Sequence, residues 1–512
     1  MREPILSRMR ALRPHLRRPG TTGREELEGI DAFVQPVGRL SVVAIVANPP
    51  PPMNSKLHSQ PGVEPPVRPR VLIVARGFPP SSDPTSYRWL RFARGLSRNG
   101  WDVHVLTTRP VPRFEYFHPA LADQIPAEVT VHRAHPGLYQ PRVWRARMAR
   151  SSAAPRSNGD SAGAARPARA MTPRALLRDL DDRIHQLKIP DPSFEWILPG
   201  VWMGLRLLGR HRFDLIVSSG APFSSHVVAH QLRMWSRLPW VADFSDPFAD
   251  NPFVQRPKWR LRLDQALEAS WFRALGGVIV PVPEMKALFL GQHPATAPES
   301  IHVIPYGFDE ALYATARPHP FAGFTLVHTG TFYPGLRDPS PFIHALAAVR
   351  DLPLRVVHAG ILQPEWVRLL DQLGIADRFE VLGLLPREEV GSLQLGGSCL
   401  LLIGNRGGLQ LPGKLLDYLG AQRPILALEN DTHDIAARMV RDLGAGLVVA
   451  NEADAIAQGL RQVFDWWRDG TLGGRFRHDG AREYSWSHLE DVLDRTLRGH
   501  AAARKTAVSR EA

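Results

Sequence analysis

The sequence predicts an α/β protein built from two doubly wound parallel-sheet domains that face a central cleft. Short β-rich runs alternate with amphipathic helical stretches along most of the chain. The alternation weakens at "VIPYGFDEALYATARPHPFAG" (303–323), whose Pro and Gly content marks a hinge between two blocks. At 512 residues the chain is also longer than one hydrophobic core ordinarily serves. Strands that alternate with helices imply right-handed crossovers and parallel pairing, and ligands of such sheets bind beyond the carboxyl ends of the strands.

In chain order, residues 1–68 come first, a basic, Pro-rich segment ending in "ANPPPPMNSKLHSQPGVEPPVRPR". It can bury little apolar surface and is expected to be a disordered tail. The amino-terminal domain, 69–310, opens with "RVLIVA" (70–75), the amphipathic "TSYRWLRFARGLSRNG" and the strand-like "DVHVLTT". A flexible basic insertion rich in Arg, Ala, Ser and Gly is expected at 141–172, as a solvated loop or a segment that docks to a phosphate-rich surface. "FDLIVSSG" (213–220), the helical "APFSSHVVAHQLRMWSRL" and "PWVADFSD" continue the pattern. The carboxyl-terminal domain, 311–484, repeats it with "FTLVHTGT", "LRVVHAG", "FEVLGLL", "CLLLIGN", "PILALEN" and "GLVVA". A basic amphipathic helix and tail, 485–512, can pack on either domain.

Hydrophobic residues at 44% and charged residues at 22% are globular values. Lys and Arg total 63 against 50 Asp and Glu, and the resulting net charge of +13 favours polyanions: nucleic acid, anionic lipid headgroups or phosphorylated small molecules. No zinc-finger or aromatic-basic RNA signature accompanies the charge, so nucleic acid is not the expected partner. No apolar stretch reaches the roughly 18–20 residues that span a bilayer, and the first residues lack the continuous apolar centre of a secretory signal. The expected location is the cytoplasm, with peripheral contact to an anionic membrane as a further expectation. Cys399, the single cysteine, lies in "SCLLLI" and reads as an inert core thiol in a reducing compartment.

Chemistry-bearing residues gather at strand ends. "VADFSDPFADNPF" (241–253) places Asp243, Asp246 and Asp250 after an apolar run. Their spacing would cluster the carboxylates only on a helix, and Pro247 and Pro252 interrupt one, so no metal cage is expected and Asp250 reads as turn chemistry. "HTGTFYPGLRD" ends a strand with Gly330 and Thr331 and then supplies Arg337. Gly330 permits close backbone approach and Arg337 can form paired hydrogen bonds with phosphate oxygens; a turn glycine and an exposed helix-start cation are the alternatives. In "LQLPGKLLDYLGAQRP", Pro412 and Gly413 suit a helix beginning near Lys414, where the dipole favours an anion. Asp417, one turn on, falls on the same helix face and can accept from ligand hydroxyls or pair with Lys414 at i,i+3. His226 and His230 share a helix face, yet no adjacent Glu or third ligand lies close in sequence, so metal is not expected. His226 instead reads as a cleft hydrogen-bonding group near a helix amino terminus capped by Ser224 or Ser225.

Set in order, "RVLIVARGFPPSSDPTSYRWLRFARGLSRNGWDVHVLTT", "FDLIVSSGAPFSSHVVAH", "PWVADFSDPFADNP", "VIPYGFD", "LVHTGTFYPGLRDPSPFIHAL" and "LPGKLLDYLGAQRPILAL" cover most of residues 70–430. Together they resemble glycosyltransferase family 4, with the GT-B fold of two Rossmann-like domains and a subfamily-4-like amino-terminal domain. The resemblance implies a nucleotide-sugar donor held mainly by the carboxyl-terminal domain, and a glycan or lipid-linked saccharide acceptor approached from the amino-terminal one. It further implies retaining transfer of a hexosyl group in polysaccharide or cell-envelope glycan biosynthesis, with no cofactor and no obligatory metal. On these terms Gly330, Thr331, Arg337, Lys414 and Asp417 bind the donor, Asp246 and His226 are the catalytic candidates, and Arg88 and Asp243 lie on the acceptor side. For Asp246 the role is acceptor orientation or general-base help, with capping of local N–H groups as the alternative for both acids. For Arg88 the alternative to a cleft position is the solvent face of its helix.

The chain departs from the family pattern at three places. Leu409 stands where many relatives carry the first of two glutamates, Ser245 stands where Arg is common, and Ser81, Ser82 and Asp83 occupy a loop that usually holds paired glycines. The rival readings are a sugar-nucleotide epimerase of the same fold, a transferase that has lost activity, and a non-catalytic basic protein that binds membrane or polyanion.

Overall fold

A computed structural model of the protein describes residues 68–110, 117–137, 187–251, 254 and 256–511. The basic insertion expected at 141–172 lies outside the described residues, as does the expected tail at 1–68 except for its last residue. The first sheet contains β1 (Arg70–Ala75), β2 (Asp102–Thr108), β3 (Thr130–Ala134), β4 (Leu215–Gly220), β5 (Trp240–Phe244), β6 (Gly277–Val280) and β7 (Ile301–Val303). The second contains β8 (Thr325–Thr329), β9 (Arg355–Ala359), β10 (Phe379–Val381), β11 (Cys399–Ile403), β12 (Ile425–Glu429) and β13 (Gly446–Ala450). Their orders are β3-β2-β1-β4-β5-β6-β7 and β10-β9-β8-β11-β12-β13, and the pairs are parallel throughout. Two doubly wound parallel sheets confirm the predicted fold class.

Central strands such as β4 and β11 are buried along their whole length, as expected where helices cover both faces of a parallel sheet. Cys399 heads β11, and burial pushes its thiol up to about 12, which leaves it protonated and inert. Each sheet reverses its strand order once, at β1/β4 and at β8/β11, and such switch points open crevices at the strand carboxyl ends. Arg76 follows β1 and Gly330 follows β8, so both crevices hold residues of interest.

The helix Pro84–Arg98 starts under Asp83, whose carboxylate accepts from Ser86 N, and Pro84 takes the first helical position where no N–H is required. It buries Trp89, Leu90, Phe92, Ala93 and Leu96. Trp486, Leu489, Leu493 and Leu497 of the helix Trp486–Glu511 recur at helical spacing and enter the same core. The carboxyl-terminal helix therefore packs on the amino-terminal lobe. It arrives beside the outgoing strand: Phe308 N donates to Tyr484 O (3.0 Å) and Trp486 N donates to Phe308 O (3.1 Å), so the two crossings between lobes run side by side. The hinge read at 303–323 holds one of these crossings and also a short helix, Glu310–Thr315.

Three strands have no counterpart among the runs read from sequence. β6 and β7 are only 4 and 3 residues long, and the edge strand β3, "TVHRA", carries a His and an Arg in place of a continuous apolar signal.

Candidate active-site cleft

A cavity of about 730 Å³ opens between the carboxyl ends of the two sheets. Its amino-terminal wall includes Arg76, Ser81, Asp83, Arg109, Arg133 and Asp246, and its carboxyl-terminal wall includes Arg337, Leu409, Gln410, Leu411 and Gly413. The charged lining residues are four arginines against Asp83 and Asp246, so the cavity is net cationic.

Gly330, Thr331 and Lys414, predicted to bind the donor, are not among the residues lining the cavity and stand behind Arg337 and Gly413, which are. After β8, Gly330 turns the chain with φ +106°, a left-handed conformation that favours glycine. A Cβ there would stand 3.3 Å from Lys414 Cε, so the turn and that side chain are in contact. Thr331 follows, half-buried. Arg337 lines the cavity; its Nε donates to Asn405 Oδ1 and its guanidinium lies 5.5 Å from the Tyr333 ring centroid. The helix that carries Lys414 begins at Gly413 and runs to Ala421. Lys414 Nζ lies 2.8 Å from His328 Nε2, and His328 Nδ1 lies 2.8 Å from His358 Nδ1 on the neighbouring strand. Phe332 stacks on both imidazoles. Burial, reinforced by Arg337, holds the Lys414 ammonium well below the usual lysine range, and burial next to Lys414 keeps His328 neutral. A neutral His328 accepts at Nε2 from the ammonium and donates at Nδ1 to His358, whose own Nε2 is buried without a partner.

Asp417 is a correction. It is not among the residues lining the cavity; its Oδ1 lies 3.8 Å from Arg387 Nη2. Nor does it pair with Lys414, whose partner is His328. Desolvation raises its pKa to about 6 against the lowering pull of Arg387. A helical step of three residues turned the two side chains towards different neighbours.

On the amino-terminal wall, Asp246 lines the cavity beyond β5 and accepts at Oδ1 from Gln410 Nε2 (2.7 Å), a hydrogen bond that crosses between lobes. Burial raises its pKa, opposed by that hydrogen bond. Asn405, which holds Arg337, donates from Nδ2 to the carbonyl of Gln410 (3.0 Å). Arg337, Asn405, Gln410 and Asp246 thus form one continuous polar chain from lobe to lobe. Ser245 accepts from Tyr306 Oη (3.1 Å) and adds a hydroxyl where the family pattern has a cation. In the first loop, Asp83 accepts from Ser81 Oγ (2.7 Å), Ser86 Oγ (2.6 Å), Ser86 N (2.9 Å) and Thr85 Oγ1, so the side chains replacing the glycine pair build a folded corner.

Three other assignments are corrected by burial. Arg88 and Asp243 do not line the cavity: they are 1% and 0% exposed and face each other, with Arg88 Nε to Asp243 Oδ2 at 3.0 Å and Nη2 to Oδ1 at 3.2 Å. His226 is wholly buried among Phe223, Phe244, Trp240 and Trp271. Ser218 Oγ accepts from Trp240 Nε1 (2.7 Å) and can donate to His226 Nδ1 (2.9 Å), and burial lowers the imidazole pKa to about 3. Such a group neither touches a substrate nor exchanges protons near neutrality. The helix Ser224–Ser236 is also not capped by its serines: Ser224 N donates to the Asp191 carboxylate (2.7 Å), while Ser224 Oγ accepts from Trp196 and Ser225 Oγ accepts from Arg76 N. Asp250 accepts from Gln292 Nε2 (2.8 Å) within its own lobe.

Sequence reasoning passed over Arg76, Arg109, Arg133, Asn405, Gln410 and His328. For the arginines a signal existed, since each follows or lies within a strand of the half-sheet that leads to the switch point. Among the described residues no group of three His, Cys, Asp or Glu side chains is placed to hold a metal ion, and no helix is long and apolar enough to cross a membrane.

Residues 85–307 match the glycosyl transferase 4-like domain. No curated protein matches the chain in sequence. Solved structures resemble it in fold: sucrose-phosphate synthase from Thermosynechococcus elongatus (15% identity, TM-score 0.55) covers 85% of this chain and 100% of its own. HepE from Anabaena, in complex with UDP and glucose, gives 12% identity and a TM-score of 0.53 over 84% of this chain and 99% of its own. A glycosyltransferase from Rickettsia africae gives 12% and 0.53 over 84% and 98%. Part of the amino-terminal lobe thus resembles a glycosyl transferase 4-like domain, and the two lobes together have the GT-B fold.

Proposed function

We propose that the protein is a glycosyltransferase that moves a hexosyl group from a nucleoside diphosphate sugar to a hydroxyl of a glycan or lipid-linked saccharide, with retention at the sugar carbon and without an obligatory metal. The observation that carries the reading is the cationic cavity at the carboxyl ends of both sheets, with Arg337 on one wall and Asp246 on the other, joined by Gln410 and Asn405. The UDP-glucose complex of HepE, of similar fold, supports a nucleotide-sugar donor.

In this reading the diphosphate lies against Gly330, Thr331, Arg337 and the amino end of the helix that begins at Gly413. As the bond from the sugar carbon to the diphosphate oxygen breaks, the electron pair leaves on that oxygen. Arg337 and Lys414 neutralise the charge that develops there. The acceptor oxygen bonds the same carbon and its proton passes to the Asp246 carboxylate, whose burial makes it a better base than a solvated aspartate. Leu409 places an apolar side chain at the cavity wall, so sugar hydroxyls there find no carboxylate from that position.

Purified protein incubated with UDP-, GDP- and ADP-sugars tests the reading by thermal shift and by release of nucleoside diphosphate. Stabilisation and slow hydrolysis with one base are expected. A panel in which no nucleotide binds favours a basic binding protein, and interconversion of the sugar without release of nucleotide favours an epimerase.

A further inference from the structure

The wall opposite Arg337 holds a second cationic centre that donor binding leaves unused. Arg76 follows β1, Arg109 follows β2 and Arg133 lies in β3, strands adjacent in the sheet, and all three side chains line the cavity. Arg133 donates from Nη1 to Thr108 O (3.3 Å) and from Nη2 to Pro79 O (2.6 Å), carbonyls that fix the guanidinium without neutralising it. Among the described residues no carboxylate pairs with Arg133 or with the exposed Arg109. Desolvation alone accounts for the lowered pKa of Arg133, which agrees with the lack of an acid beside it. Of the two acids on this wall, Asp83 is committed to its four local donors and Asp246 accepts from Gln410, while Arg76 has both Asp83 and Asp191 as charged neighbours. The surplus positive charge therefore sits at Arg109 and Arg133.

Resting on the transferase reading above, we propose that this wall binds a phosphate group carried by the acceptor, with Arg109 and Arg133 as its main ligands and Arg76 as a third cation. A neutral saccharide would leave two guanidinium groups, that of Arg133 partly desolvated, without counter-charge, whereas a phosphate supplies at least one full negative charge and several oxygens to planar forks of donors. A soluble sugar phosphate and the phosphate of a polyprenyl-linked saccharide share this chemistry.

The full chain is first saturated with nucleoside diphosphate, which occupies the Arg337 side, and is then titrated calorimetrically with inorganic phosphate. Phosphate is expected to bind, and Arg109→Gln and Arg133→Gln are each expected to weaken it about tenfold or more. Arg133→Lys should recover part of the loss. The Arg109 side chain is exposed and has no hydrogen bond or ion pair among the described residues, so Arg109→Gln is expected to read the site without a folding defect. Equal phosphate affinity in wild type and Arg109→Gln, or no phosphate binding once nucleotide is bound, overturns the proposal while nucleotide binding leaves the transferase reading intact. If nucleotide itself fails to bind, the transferase reading falls, and the phosphate titration repeated on Arg337→Ala still decides whether the arginine wall binds anions. Competition against bound phosphate by a hexose phosphate assigns a soluble acceptor, and competition by detergent-dispersed polyprenyl phosphate assigns a lipid-linked one. An unphosphorylated hexose that competes as well as its phosphate also refutes it.

Discussion

Arg88 and Asp243 offer a sharp test of burial against function. Arg88 bonds both oxygens of Asp243, donates from Nη1 to Pro305 O (2.7 Å) and from Nη2 to Ile304 O (2.8 Å), and lies over the rings of Phe92 and Tyr306 at 4.6 and 4.8 Å. Asp243 also accepts from Trp89 Nε1 at 2.9 Å. One guanidinium thus ties the first helix, β5 and the segment where the chain leaves the lobe. Arg88→Met keeps most of the stem but strands a carboxylate with one donor and leaves two carbonyls without Arg88. Breaking a buried pair from one side costs about 3–5 kcal/mol, a large part of a domain's usual 5–15 kcal/mol, so Arg88→Met is expected to destabilise the amino-terminal lobe by about that amount. Asp243→Asn should cost somewhat less, since Trp89 and one arm of Arg88 keep an acceptor. The double variant Arg88→Met/Asp243→Leu should fall short of the sum by at least 1 kcal/mol, because neither charge is then left alone. Urea titrations followed by tryptophan fluorescence report on both lobes, Trp89 in the amino-terminal one and Trp366 and Trp466 in the other, so the loss should appear as an earlier transition for part of the signal, with nucleotide affinity measured on folded protein at low urea. A variant at Arg88 with unchanged stability and a raised acceptor KM would refute the structural role and restore the acceptor-side one.

Further outcomes follow from the same geometry. Arg337→Ala and Lys414→Ala should each weaken nucleoside diphosphate binding by about 10- to 100-fold, as loss of charge-assisted hydrogen bonds does; unchanged affinity in both removes them from the donor site. Burial and Arg337 lower the Lys414 pKa and an arriving diphosphate should raise it again, so binding is expected to take up protons at pH values between the free and the bound pKa; titration calorimetry across pH in buffers of different ionisation enthalpy measures the uptake, which Lys414→Met should abolish. His226 has a folded pKa of about 3 against 6.5 when unfolded, so the unfolded chain binds the proton first as pH falls. Stability from this group is full above pH 6.5 and declines below it, by about 2 kcal/mol at pH 5, and His226→Phe should flatten that part of the urea midpoint against pH.

The architecture was legible because strand signals and their spacing are local. "RVLIVA" and "DVHVLTT" became β1 and β2 without change of boundary, and the Pro–Gly pair before Lys414 marked a helix start to within one residue. Depth was not legible. Arg88 and Asp243 were both placed on the acceptor side, but 155 residues separate them, and nothing local says that each is the other's counter-ion. His226 shows the same limit, since a polar residue at a strand end looks alike whether it faces a cleft or an aromatic cage. His328 could have been found. It lies in "TLVHT", a strand buried along its whole length, and an imidazole there needs a polar partner, which proves to be the lysine already chosen for the donor.

The loop from Asn405 to Gln410 links the two halves of the proposed chemistry. Through one hydrogen bond Asn405 sets the direction of Arg337, and through another Gln410 lowers the proton affinity that burial gives Asp246. Gly407 and Gly408, with φ of +90° and +58°, supply the left-handed turn that brings the Gln410 carbonyl back to Asn405 Nδ2. The cation that would meet the leaving group and the carboxylate that would take the acceptor proton are therefore oriented by one short segment, although they belong to different lobes. Leu409 lies inside that segment, where the resemblance implies an acid in many family members, and an added charge there would share the cavity lining with Arg337 and Asp246. Its apolar side chain leaves Arg337 free for an anionic ligand and spares Asp246 a like-charged neighbour. On the proposed reading, the departure from the family pattern keeps this end of the cavity free of a further negative charge beside an arriving diphosphate.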